Sequence, residues 1–175
     1  ISIDKDAVLR SGIMLPDSIR HLKGKELKNA IPDKIYISLK DMRILTKVDM
    51  LMLEMLANCN WERPLYMAIS VGEVSKLKFD HYFVQEGLAF RFTPFDYKKW
   101  GNVKGDNNYA IDVERLYENV MNRYKYGGLD TPGLYLDETT LRTCYYHRRL
   151  FAQLAKELIR QGDNTRARKV LAYAE

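Results

Sequence analysis

Few residues in this sequence have types and spacings that can do chemistry. The densest group is Asn60-Trp61-Glu62-Arg63-Pro64-Leu65-Tyr66. Here Trp61, Arg63 and Tyr66 can stack on a sugar or a peptide and donate hydrogen bonds to it. The same residues suit an architectural role, with Trp61 plugging the core and Arg63 paired with Glu62 or a carboxylate such as Glu86. A second cluster, His147-Arg148-Arg149, can bind an anion such as a phosphate or simply form a solvated helix face. His81, between Asp80 and Tyr82, has the neighbours of a proton-transfer group or of a satisfied surface residue. His21 is isolated. Asp137-Glu138 are paired acids, but at a helix start they serve the helix dipole better than acid–base catalysis.

Beyond these groups the catalytic signatures are missing. The sequence holds no Gly-rich phosphate loop, no Gly-x-Ser-x-Gly elbow and no His-Glu-x-x-His. With two cysteines and three histidines, neither a disulfide scaffold nor a four-cysteine zinc site is in reach. Cys59 and Cys144 sit in apolar helical contexts and read as free thiols or as one long-range disulfide. No metal-ligating residue and no cofactor is expected.

Something must position these side chains, and 175 residues suffice for one domain or two small ones. Hydrophobic residues are 46% and charged residues 29% of the chain, which fits a globular piece. No run of about 18 apolar residues is present to span a bilayer. The chain starts at Ile1 and stops at Glu175 inside a helical pattern, which reads as a fragment of something longer. The net charge of +5 is spread along the chain with acids interleaved. No recognition helix accompanies it, so no nucleic-acid partner is expected.

The patterning predicts an α+β fold, with a small three-stranded βαβ-containing sheet followed by a helical, tetratricopeptide-like C-terminal part. Strands are expected near 35–39, 65–71 and 88–93. A short helix is expected around 18–29. A helix over 47–58, started by Thr46 and Asp49, is apolar around nearly its whole circumference and should be buried on most sides. Strand, helix and strand in that order suggest a parallel βαβ unit. Residues 79–86 read as a helical turn and 98–108 as a loop. The α/β part is expected over 1–105 and the helical part over 106–175. In the latter, Asp112 caps a helix 113–126 stopped by Gly127-Gly128, and Tyr135-Leu136-Asp137 begins a long helix that ends near Gly162. Asn164 caps the last helix.

The final helix pair, 138–175, matches a tetratricopeptide spacing. Phe151, Leu154, Ala155 and Leu158 supply the first helix, and Ala167, Leu171 and Ala174 the second. Any antiparallel helical hairpin needs a similar pattern. One such unit cannot bury its face alone, so helix 113–126 or further repeats should cover it.

Asn60-Trp61-Glu62-Arg63-Pro64-Leu65-Tyr66-Met67-Ala68 also carries a family resemblance. So do Leu45-Thr46-Lys47-Val48-Asp49-Met50, Tyr82-Phe83-Val84-Gln85-Glu86-Gly87-Leu88-Ala89-Phe90-Arg91, Met121-Asn122-Arg123-Tyr124-Lys125-Tyr126-Gly127-Gly128-Leu129 and Tyr135-Leu136-Asp137-Glu138. Over roughly 35–175 the chain resembles the C-terminal soluble region of a multi-spanning membrane protein family of Bacteroidetes. That family is similar to transmembrane protein O-mannosyltransferases. Met67 departs from the resemblance, because relatives carry an aromatic there. The resemblance implies a non-catalytic accessory domain of an integral-membrane glycosyltransferase on the extracytoplasmic (periplasmic) face. Its partner would be an acceptor protein or the membrane domain of its own chain. A stand-alone protein–protein interaction module and a small enzyme using the Trp61–Arg63 region are the alternatives. The candidate ligand- or partner-binding residues are Trp61, Arg63, Tyr66, Glu86, Arg91, His147 and Arg148. No catalytic residue is carried over.

Overall fold

Ile35 does not extend a sheet, because its backbone is already engaged: its N–H donates to the Ile1 carbonyl at 2.8 Å, while Ile3 N–H donates to Asp33 O at 3.0 Å. An isolated antiparallel bridge joins Ser2 and Lys34. Residues 35–39 therefore form no strand, and the expected βαβ unit loses its first member. The computed structural model describes residues 1–39, 44–71, 80–101, 109–129 and 131–174. They divide into two compact units, Ile1–Gln85 with Ala89–Ala110, and Glu86–Leu88 with Ile111–Glu175.

In the first unit, Asp4 caps helix α1 (Lys5–Arg10) by accepting from the Asp6 and Ala7 N–H groups. This helix buries Ala7 and Val8. Helix α2 spans Gly24–Ala30, starting later than the expected 18–29 because residues 17–21 are spent on turns that follow Pro16. Helix α3 (Lys47–Asn58) has the expected bounds. Its capping box is complete, with Asp49 N–H donating to Thr46 Oγ1 at 3.2 Å and Thr46 N–H donating to Asp49 Oδ2 at 2.9 Å. Burial departs from expectation. Asp49 and Leu56 are buried, whereas Val48, Met50, Leu51 and Met55 are exposed. An apolar circumference shows that a helix is able to be buried all round, and this one is covered on one side.

The sheet has four strands rather than three, in the order β1-β3-β2-β4: β1 Tyr66–Ala68, β2 Phe83–Gln85, β3 Ala89–Phe92 and β4 Ala110–Ile111. The β1–β3 ladder is antiparallel, with Tyr66 opposite Arg91, and so is β2–β3, with Phe83 opposite Phe92. Strand β2 occupies what read as a helical turn, since only Asp80–Tyr82 coils, as a 3-10 turn. All three β2 residues are buried. Around the sheet, Val84, Phe92, Phe95 and Tyr97 form the core with Val8, Ile31 and Ile35. The part of the expected 98–108 loop from 102 onward lies outside the described residues, as do Gly72 and Phe79.

In the second unit, Asp112 caps α4 (Val113–Glu118) by accepting from Arg115 N–H. The helix is shorter than the predicted 113–126 because it widens into a π turn over Asn119–Arg123. Tyr124 N–H reaches back five residues to Asn119 O, so it is not spent on Val120 O in the usual four-residue step. The Tyr126 hydroxyl donates to Val120 O instead, at 2.7 Å. Helix α5 (Glu138–Arg160) is capped by Asp137, and α6 (Asn164–Tyr173) by Asp163 rather than Asn164. Asp163 stands one residue outside the helix, where its carboxylate accepts from Arg166 N–H at 2.9 Å. Gly162 makes the intervening turn at φ +85°. Leu150, Leu154, Ala155 and Leu158 of α5 are buried with Ala167 and Val170 of α6. The small side chains of Ala155 and Ala167 let the two helices approach closely. The N-terminal half of α5 is more open: Leu141 and Tyr145 are exposed.

Arg166 locks α6 to α4. Its guanidinium donates to both carboxylate oxygens of Glu114 at 2.8 Å and to Asp163 Oδ2 at 2.6 Å, and it lies 5.3 Å from the Tyr117 ring centre. Arg166 holds the Glu114 carboxyl below its usual range, and the Arg166 N–H and guanidinium do the same for Asp163.

Candidate functional site

The sequence candidates are shared between the two units. Trp61 is buried in the first unit. It follows α3 through a turn in which Asn60 and Trp61 both take positive φ, +48° and +62°, a costly conformation for a bulky side chain. Packing holds it there: its indole N–H donates to Ser2 O at 3.0 Å, and its ring stacks on Phe92 at 5.5 Å and 17°. Arg91 is buried on β3 and donates to Ser11 O at 2.7 Å, which ties the sheet to the end of α1. Trp61, Arg63 and Arg91 border a cavity of about 10 Å³, the room of a single water. In this structure Trp61 and Arg91 hold the fold, while Arg63 and Tyr66 stay exposed. His81 meets a different acid from the one expected, with Nε2 3.7 Å from Asp96 Oδ2.

Glu86 belongs to the second unit. Its carboxylate accepts from Arg115 Nη1 at 3.0 Å, and its carbonyl accepts from Asn119 Nδ2 at 2.6 Å, so its cation is Arg115 rather than Arg63. Next to it, Leu88 N–H donates to the Tyr124 hydroxyl at 3.0 Å.

His147 and Arg148 line a groove of about 630 Å³, whose size suits a ligand. The floor is aromatic. Tyr126 meets His147 at 5.4 Å edge-on, Phe151 at 5.8 Å and Tyr173 at 6.0 Å. Burial, reinforced by Tyr173 and Tyr124, pushes the Tyr126 phenol up to about 12. The stability contributed by the neutral phenol is present below its ordinary value of 10.0 and is lost as pH rises through the folded-state value. These tyrosines were not among the sequence candidates. Their available signal is Tyr124-Lys125-Tyr126-Gly127-Gly128, in which two rings flank a cation just before a turn.

His147 itself is kept neutral. Its Nδ1 is buried without a hydrogen-bond partner, and burial lowers its pKa from the ordinary 6.5. The unfolded chain therefore takes up a proton that the folded chain refuses. Stability is expected to fall as pH drops below about 6.5 and to level off below the folded-state pKa. Urea midpoints between about pH 7 and pH 5 check this. His147→Leu should flatten the profile, and an unchanged slope in that variant would assign the effect elsewhere.

Among the described residues no group of three His, Cys, Asp or Glu is placed to hold a metal ion, and no helix is long and apolar enough to cross a membrane. Cys59 and Cys144 are free and partly buried.

The family model described as TMEM260-associated domain 2 covers residues 1–114. No curated protein and no solved structure matches the chain. The matched stretch holds α1 to α3 and the sheet, whereas the aromatic groove lies C-terminal to it.

Proposed function

The chain belongs to the TMEM260-associated domain 2 family, and from that premise we propose a non-catalytic accessory domain of an integral-membrane glycosyltransferase of the protein O-mannosyltransferase kind. It acts by binding, on the extracytoplasmic (periplasmic) face, and its partner is the membrane domain of its own chain. The division of labour follows the two sequence parts, with docking by 1–105 and further partner contact by 106–175.

The observation that carries this reading is the uncovered face of α3. Leu51 is 60% and Met55 52% exposed, on one helix face with exposed Val48, within the family-matched stretch. A contiguous apolar face of this kind on a folded domain marks an interaction surface, and methionine side chains adapt to irregular partners. Arg63 and Tyr66 remain exposed in the same unit and supply polar contacts at such an interface.

Co-purification of the chain with the membrane domain tests the reading. Leu51→Glu with Met55→Glu should lower recovery by at least about tenfold, since a desolvated apolar contact then carries two charges. Folding stability should stay within about 0.5 kcal/mol, because both side chains face solvent. Equal recovery of the variant would overturn the docking role of α3. A second reading, a stand-alone protein–protein interaction module, is favoured by the α5–α6 hairpin and its tetratricopeptide-like spacing. Under that reading, partner recovery depends on the groove beside α5 and is indifferent to α3.

A further inference from the structure

We propose that the groove of the second unit binds an acidic peptide through one aromatic side chain of that peptide. The proposal deepens the partner-binding reading and is tested apart from it, through groove residues rather than α3.

Charge complementarity points to this occupant. The rim carries Lys125 and Arg148, both exposed and without an ion-pair partner among the described residues, and no described lining residue is acidic. The two cations flank a floor of rings that includes Tyr126, Phe151 and Tyr173. The inner hydroxyls each hold one bond within the protein: that of Tyr126 donates to Val120 O, and that of Tyr124 accepts from Leu88 N–H. The floor offers mainly ring faces and edges, with His147 Nδ1 a buried polar atom that has no hydrogen-bond partner. An aromatic side chain is well served, in edge-to-face or offset-stacked contact. Carboxylates on the flanking peptide residues then meet Lys125 and Arg148 at the rim. A rim contact of this kind sets specificity and salt dependence, while the ring anchor sets affinity.

The probe is the fluorescein-labelled peptide Asp-Glu-Trp-Glu-Asp, read by anisotropy on the full chain. Two controls accompany it: one peptide with Ala for Trp, and one with Lys for each acid. The acidic aromatic peptide should bind, and both controls should bind at least about tenfold more weakly. Lys125→Glu with Arg148→Glu should reverse the charge preference, weakening the acidic peptide at least about tenfold and favouring the basic one. Both positions are exposed, so circular dichroism should be unchanged. Tyr173→Ala should weaken the acidic peptide and leave the charge preference intact. Equal affinity for all three peptides, no binding of the acidic peptide, or indifference to the charge reversal would overturn the proposal. Self-association of the chain that the same reversal abolishes would also overturn it, making a second copy the occupant.

Discussion

Trp61→Ala is expected to destabilise the first unit by about 3–5 kcal/mol, the range for deleting a buried tryptophan. The loss combines the ring stacked on Phe92, the indole hydrogen bond to Ser2 O and the cavity left behind. A domain of ordinary stability, about 5–15 kcal/mol, would lose much of its margin. The backbone adds a second, sharper expectation. Trp61 has φ +62°, where any side chain costs about 1–2 kcal/mol and glycine costs nothing. Trp61→Gly should therefore be no less stable than Trp61→Ala, reversing the usual order of the two residues. Urea unfolding followed by far-UV circular dichroism checks both. A Trp61→Ala loss below about 1 kcal/mol would mean that the ring is not part of the core and would restore it as a ligand platform.

Gly87→Ala should destabilise the second unit by about 1–3 kcal/mol, the range for overpacking a tight site. Gly87 has φ +152°, and an added Cβ would lie 2.1 Å from the Tyr124 hydroxyl. The ring must move, which breaks the Leu88 N–H bond to that hydroxyl. For a unit of this size each kcal/mol shifts Tm by about 4–8 °C. Tyr124→Phe removes the colliding atom together with the hydrogen bond. The double variant should then be less destabilised than the sum of the singles. Strict additivity in thermal unfolding would show that the hydroxyl does not occupy the space above Gly87.

Local chemistry was the most readable part of the sequence. Thr46 with Asp49 marks the start of α3, and Asp112 and Asp137 mark α4 and α5, because a side chain that caps a helix needs only its near neighbours. The α5–α6 hairpin was readable for a related reason, in that Ala155, Gly162 and Ala167 are set by contacts between adjacent elements. What sequence did not reveal depends on distant residues. Whether Ile35 joins a sheet or pairs with Ile1 is decided by a partner 34 positions away in the chain. Strand β2 is three residues long, too short for alternation to register. The exposed side of α3 carries Val48, Met50, Leu51 and Met55 beside Lys47 and Glu54, so its apolar residues alone do not mark the side that meets the core. Among the candidate site residues, Arg63, Tyr66, His147 and Arg148 are accessible or line a groove. Trp61 takes the architectural role that its sequence context also allowed, and Arg91 is likewise built into the fold, because residue types suited to stacking and hydrogen bonding are also the types that fill a core and tie loops down. The partner of Glu86 is Arg115, a pairing that spans two elements and leaves no trace in local spacing.

The docking role of α3 is the claim on which the functional account turns, and site-specific cross-linking addresses it most directly. A photoactivatable amino acid replaces Leu51 in the intact membrane protein, and the cross-linked residues are identified by mass spectrometry. The account predicts cross-links from this position to the membrane-embedded part of the same chain, and their loss when Met55→Glu is added. Cross-links only to unrelated proteins, or none at all from a folded and active protein, would contradict it.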